Sequence, residues 1–126
     1  MDRRDSLLLA EPDEALAASL GFALRLEGYQ VETLAPDRVE QQIRDRADPA
    51  CLIIGDRPRT TDGLQMALRL RRAGSLRPII LLATNPSRAT AEQARRHDVL
   101  LVEKPLLGRS LEEALQRTSA RSREAS

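Results

Sequence analysis

The sequence predicts an α/β protein, a single domain built on a five-stranded parallel sheet with helices on both faces. Five short apolar runs of strand length alternate with five helical stretches, the pattern of right-handed strand–helix–strand crossovers. The third and fourth runs are apolar almost throughout, as expected for central strands buried on both sides. At 126 residues the chain is long enough for one self-sufficient core.

The predicted strands are Ser6–Ala10, Gln30–Leu34, Cys51–Ile54, Ile79–Ala83 and Val99–Val102. Between and after them, helices are expected at about 12–28, 37–47, 62–73, 87–97 and 108–120. Gly28, Gly74, Pro49 and Pro78 punctuate the helix-to-strand turns. Residues 1–121 are read as the domain and 122–126 as a charged, frayed C-terminal tail, with no linker and no solenoid-like repeat. Pattern alone leaves the strand order open, a Rossmann-like order included. The first turn has no glycine-rich dinucleotide loop, and a Walker-type phosphate loop is also missing.

Charged residues make up 31% of the chain yet cancel to a net charge of +1, which gives no support for nucleic-acid or membrane attraction across the whole surface. The apolar runs fall far short of the ~20 residues that a membrane span needs. The opening Met1-Asp2-Arg3-Arg4-Asp5, with an acid at position 11 soon after, makes a poor signal peptide. The single cysteine, Cys51, lies inside an apolar run and reads as a small core residue in a reducing compartment. A cytoplasmic location is the expectation.

Four landmarks carry the functional reading. They are the acidic turn Ala10-Glu11-Pro12-Asp13, the strand end Cys51-Leu52-Ile53-Ile54-Gly55-Asp56, the helix start Asp62-Gly63, and the pair Lys104-Pro105. Together, over essentially the whole chain, they resemble the CheY-like receiver domain of bacterial two-component response regulators. The resemblance implies a flavodoxin-like (βα)5 three-layer sandwich with strand order 2-1-3-4-5. Its crevice would lie at the carboxyl ends of strands one, three and five, where Glu11, Gly55, Ala83 and Lys104 converge.

In that family two consecutive acids end strand one, a third acid ends strand three, a Ser or Thr ends strand four, and a Lys before a Pro ends strand five. The acids hold Mg²⁺ and the third takes a phosphoryl group from a histidine kinase. Metal and lysine neutralise the charge that builds during transfer. Here Glu11 and Lys104 match the first acid and the lysine, while Pro12 stands at the second acid, Gly55 at the phosphoacceptor and Ala83 at the hydroxyl. Leu101 stands where the family often has an aromatic switch residue. The chain therefore reads as a degenerate, atypical member, a pseudo-receiver without the phosphoacceptor aspartate.

Asp13, Asp56 and Thr84 each follow a lost group by one residue, so Asp56 is an alternative acceptor and, with Glu11, a weak alternative metal site. Successive strand residues point to opposite faces, so each displaced group would need its own bulge to return. Asp13 and Thr84 have simple structural readings, as a first-turn helix acid and a loop residue. Arg57 and Arg59 add positive charge beside the pocket, which disfavours Mg²⁺ and raises the prospect of a direct Glu11–Lys104 ion pair. Mg²⁺ binding is expected to be weak or absent.

The first predicted helix carries a core stripe, Leu16, Leu20, Ala23 and Leu24, and a second apolar stripe, Ala18, Phe22 and Leu26, on a face receivers usually fill with polar groups. The second stripe is a candidate partner surface, because receivers dock kinases through this helix. Arg88, Glu92, Arg95 and Arg96, and Arg109, Glu112, Glu113 and Arg117, read as solvated mixed-charge faces, though the family uses that region for homodimers. His97 reads as an exposed helix-terminal residue.

The expectation is a non-enzymatic, phosphorelay-type signalling module that binds a histidine kinase or another signalling protein without aspartyl phosphorylation. A homodimer is compatible with it; nucleic acid and membrane partners are not expected. Two alternatives stand: a phosphorylatable regulator using Asp56, and a small-ligand or anion sensor using the crevice near Glu11, Arg57, Arg59 and Lys104.

Overall fold

The computed structural model describes residues 6–45, 51–104 and 110–125. In chain order the elements are β1 (Ser6–Ala10), α1 (Glu14–Leu26), β2 (Gln30–Thr33), a 3-10 turn (Pro36–Arg38) running into α2 (Val39–Asp45), β3 (Cys51–Gly55), α3 (Gly63–Arg72), β4 (Ile79–Thr84), α4 (Arg88–Arg96), β5 (Val99–Lys104) and α5 (Ser110–Ala125). All strand pairs are parallel, in the order β2-β1-β3-β4-β5, which is the flavodoxin-like arrangement and not the Rossmann one.

Alternation along the strands divides the core in two. Leu7, Leu9, Cys51, Ile53, Ile80 and Leu82 face α1 and α5, where they meet Leu24, Leu111 and Leu115. Leu8, Ala10, Leu52, Ile54, Ile79 and Leu81 face the other way, onto Val39, Met66, Leu70 and Ala94 of α2, α3 and α4. β3 is buried at every residue, which is why it reads as an unbroken apolar run. The Cys51 thiol is 3% exposed and burial pushes its pKa up to about 12, so the side chain is an inert core group.

The helices start where short polar side chains can cap them. Asp13 accepts from the Ala15 and Leu16 amides, Asp62 from Gln65 and Ser87 from Thr90. Asp13 is thus the N-cap of α1, one residue ahead of the first turn in which the sequence placed it. Gly28 and Gly74 leave α1 and α3 with φ of 103° and 96°, values that favour glycine.

Several boundaries differ from the sequence reading. α2 begins only at Val39, because Pro36 at the start of the 3-10 turn first tightens the chain. Strands β4 and β5 each extend further, pairing Ala83 with Glu103 and Thr84 with Lys104, so Thr84 ends a strand and is not a loop residue. α5 runs on to Ala125, through the residues read as a frayed tail; no proline or glycine follows Ser110 to stop it. Pro49, Pro105 and Arg109 lie outside the described residues.

One polar anchor was not anticipated. The Arg71 guanidinium, at the end of α3, donates to four carbonyls: Ser75 at 3.1 Å, Arg77 at 2.7 Å, His97 at 2.8 Å and Asp98 at 2.9 Å. It ties the ends of α3 and α4 to the entry of β4, at the pole of the sheet opposite the candidate site.

Candidate functional site

Register brings the site together. Ala10 pairs with Ile54, and Gly55 with Leu82, so Glu11 and Gly55 leave adjacent strands side by side at the carboxyl edge. Lys104 ends β5 opposite Thr84. Glu11 is 5% exposed, and its side chain has no solvent exposure. Glu11 Oε1 accepts from Lys104 Nζ at 2.9 Å, and Oε2 accepts from the Asp13 amide at 2.7 Å. Lys104 Nζ also donates to the Asp56 carbonyl at 3.0 Å. The ion pair raised by the sequence is therefore present, and each of its charges has a second hydrogen-bond partner.

Gly55 is what lets Glu11 lie there. A Cβ at position 55 would overlap Glu11 Oε1, and would sit 2.7 Å from Glu11 Cδ and 2.8 Å from Pro12 Cδ. These carbon–carbon separations are far inside ordinary contact at ~3.5–4.0 Å. The carboxylate of Glu11 occupies the space into which any side chain at 55 would grow. Gly55 and the inward Glu11 are two halves of one packing arrangement.

Asp56 follows the pleat to the opposite face. Its amide donates to the Leu82 carbonyl at 2.8 Å, and its Oδ1 accepts from the Gly63 amide at 2.8 Å, at the start of α3. Its carboxylate thus holds the β3–α3 connection, while its carbonyl is what faces Lys104. Gly63 itself must be small, since a Cβ there would meet Leu81 Cδ1 at 2.8 Å and the Gly55 carbonyl oxygen at 3.1 Å. Ala83 is buried and offers no hydroxyl, and Thr84 beside it is exposed. Leu101 packs partly buried against the α2–α4 side of the core.

The residues at this edge are a poor fit for Mg²⁺. Both Glu11 oxygens already accept hydrogen bonds, one from an ammonium that a cation would have to displace. Pro12 contributes no side-chain oxygen, and the Asp56 carboxylate is engaged on the other face of the sheet. Among the described residues, no group of three or more His, Cys, Asp or Glu side chains is placed to hold a metal.

Arg57 and Arg59 do not join this cluster. They stand exposed on a tight loop whose ends, Arg57 and Thr61, bond to each other through both backbone amides at 2.9 Å. The cavity beside them, about 630 Å³, is lined by Asp56, the 57–62 loop, Leu64, Gln65, Leu81 and Thr90. Neither Glu11 nor Lys104 lines it, so the crevice that the sequence reading shared among these four residues is two separate places.

On α1, Phe22 is 65% and Leu26 73% exposed, and Ala18 is exposed with them. Of the expected core face, Leu16, Leu20 and Leu24 lie on the inward side, while Ala23 is exposed and Gly21 is buried. Glu92 and Arg96 form an exposed pair at 3.6 Å, and His97 caps the exposed end of α4. Among the described residues, no helix is long and apolar enough to cross a membrane.

The architecture defines a class: five parallel strands in the order 2-1-3-4-5 with five helices, the fold of CheY-like receiver domains. Solved structures of that kind superpose closely. A CheY-like response regulator receiver domain protein from Methanospirillum hungatei JF-1 matches with a TM-score of 0.84 at 16% identity, covering 95% of this chain and 97% of that one. The receiver domain of the Francisella response regulator 1452 matches at 0.80 and 15%, covering 92% and 97%. A structure described as adenylate cyclase from Rhodopirellula baltica matches at 0.80 and 18%, covering 94% and 93%. At these identities the likeness establishes the fold. No protein-family model matches the sequence, and no curated protein does.

Proposed function

We propose that this chain is a receiver-type signalling module of the two-component kind that works by protein contact and is not switched by aspartyl phosphorylation. The observation that carries the reading is the Glu11 carboxylate lying over Gly55 and paired with Lys104. A receiver needs a carboxylate at that point as nucleophile and a free lysine to meet the incoming phosphoryl group. Here the lysine already has its anion, supplied internally. Removing one partner of a buried pair typically costs ~3–5 kcal/mol, so each side chain holds the other in place.

The same geometry argues against Asp56 as acceptor, because its carboxylate is turned to the Gly63 amide and away from Lys104. It argues equally against a resident Mg²⁺. With no nucleophile and no metal, the domain would act as a binding module and not as an enzyme. The exposed Ala18–Phe22–Leu26 stripe of α1 is its proposed contact surface, with a histidine kinase or other signalling protein as the partner.

The test is incubation with acetyl phosphate and Mg²⁺, followed by intact-mass measurement. The native chain should gain no phosphoryl group. A phosphoryl adduct that disappears in Asp56→Asn would restore the phosphorylatable reading.

A further inference from the structure

We propose that the cavity between the 57–61 loop and the first turns of α3 and α4 is a binding site for a small organic anion with an apolar body. Leu64 and Leu81 contribute apolar surface to its lining, and Thr61, Gln65 and Thr90 contribute polar groups. At about 630 Å³ it falls within the size range of ordinary small-molecule sites, and it is an open depression with more polar than apolar surface, as a charged ligand requires.

The charge comes from Arg57 and Arg59. Among the described residues, neither guanidinium has an ion pair or side-chain hydrogen bond, whereas the two carboxylates of the lining are engaged with backbone. Asp56 accepts from Gly63 and Asp62 from Gln65. The lining is balanced at two cations and two anions, and it is the guanidiniums that hold unused donors for an incoming anion. The arginines are also held on a fixed backbone. Thr60 donates to the Arg57 carbonyl at 3.1 Å across a turn with Pro58 first and Arg59 second, and Arg59 takes a φ of 72°. This is a type II turn, in which the second position ordinarily goes to glycine or asparagine. A rigid loop lowers the ordering cost of binding. The cavity is separate from the Glu11–Lys104 pair, with Asp56 as their common wall, and the proposal stands whether or not that pair excludes phosphorylation.

The probe is 8-anilinonaphthalene-1-sulfonate, titrated into the native chain with amide NMR detection, beside inorganic phosphate and the uncharged N-phenyl-1-naphthylamine. The sulfonate should bind saturably, with shifts confined to residues 57–65 and the first turn of α4. Phosphate and the uncharged amine should each bind at least roughly tenfold more weakly, a difference of ~1.4 kcal/mol. The exposed double change Arg57→Gln/Arg59→Gln should weaken the sulfonate by a similar factor, and Gln65→Trp should block it while keeping both charges. The amide spectrum shows directly whether each variant retains the fold. Shifts centred on Phe22, binding unaffected by the arginine changes, or phosphate binding as tightly as the sulfonate would each overturn the proposal.

Discussion

Adding one methyl group at Gly55 should unlock the Glu11–Lys104 pair, and the cost can be worked from the geometry. In Gly55→Ala the new Cβ would stand 2.7 Å from Glu11 Cδ, so the carboxylate must retreat by about 1 Å to reach ordinary contact. That retreat cannot keep both the 2.9 Å bond from Lys104 and the 2.7 Å bond from the Asp13 amide. Hydrogen bonds to charged groups contribute ~1.5–3 kcal/mol each, while alanine in a strand regains ~0.5–1 kcal/mol over glycine. With one of the two bonds lost, the net expectation is a loss of ~1–2 kcal/mol, or about 5 °C in Tm for a domain of this size. Glu11→Ala alone should cost ~3 kcal/mol, because Lys104 then keeps only the Asp56 carbonyl. Once the carboxylate is gone, the new methyl meets only the Pro12 ring. The double variant should therefore cost Glu11→Ala plus only the strain against Pro12, so the single costs should together exceed the double by ~1 kcal/mol. Chemical denaturation of all four proteins reads this cycle. Single costs that simply add, or a neutral Gly55→Ala, would refute the claim that Glu11 occupies the seat above Gly55.

Phe22→Ala should weaken partner binding or self-association yet change stability by no more than about 0.5 kcal/mol, since the ring is largely exposed. A loss of ~3–5 kcal/mol in a melt of the monomer would make Phe22 a core residue and end the docking reading. Cys51 should resist a disulfide-exchange reagent at pH 8 until the protein unfolds, whereas prompt stoichiometric labelling would contradict its burial. Because its folded pKa is raised from 9.0 to about 12, its contribution to stability is complete below pH 9 and is lost as pH rises toward 12.

β3 and β4 were legible because they are almost unbroken apolar runs, and β1 falls at the expected residues; β2, Gln30-Val31-Glu32-Thr33, carries only one apolar side chain. The landmarks that carried the family resemblance sit where the pattern placed them: Glu11, Gly55 and Lys104 at one edge, and Asp62 as a helix cap. What was not legible depends on distances between elements. Nothing in a linear reading says that Glu11 turns inward over Gly55, although a long acid on one strand facing a glycine on the next was a usable signal. Arg71 looked like one arginine among several in a basic helix end; its role appears only when the α3–β4 and α4–β5 turns meet around it. The crevice attributed jointly to Arg57, Arg59, Glu11 and Lys104 failed for a related reason, since the pleat sends the chain after Gly55 toward the α3 side. On α1 one position of the expected core stripe differs, since Ala23 is exposed while Gly21, which has no side chain to reveal its face in a linear reading, is buried.

The central claim, that an internal carboxylate has taken the place of the phosphorylated one, is tested most directly by titrating beryllofluoride with Mg²⁺ and following the backbone amides. Replacing Gly55, Pro12 and Ala83 by the family's residues cannot suffice, because Glu11 would still fill the space, so the control needs Glu11→Asp, Pro12→Asp, Gly55→Asp and Ala83→Thr together. The native chain should show no saturable shifts at residues 11, 55, 56, 84 and 104, while the fourfold variant should show them. Saturable shifts at those residues in the native chain would contradict the account.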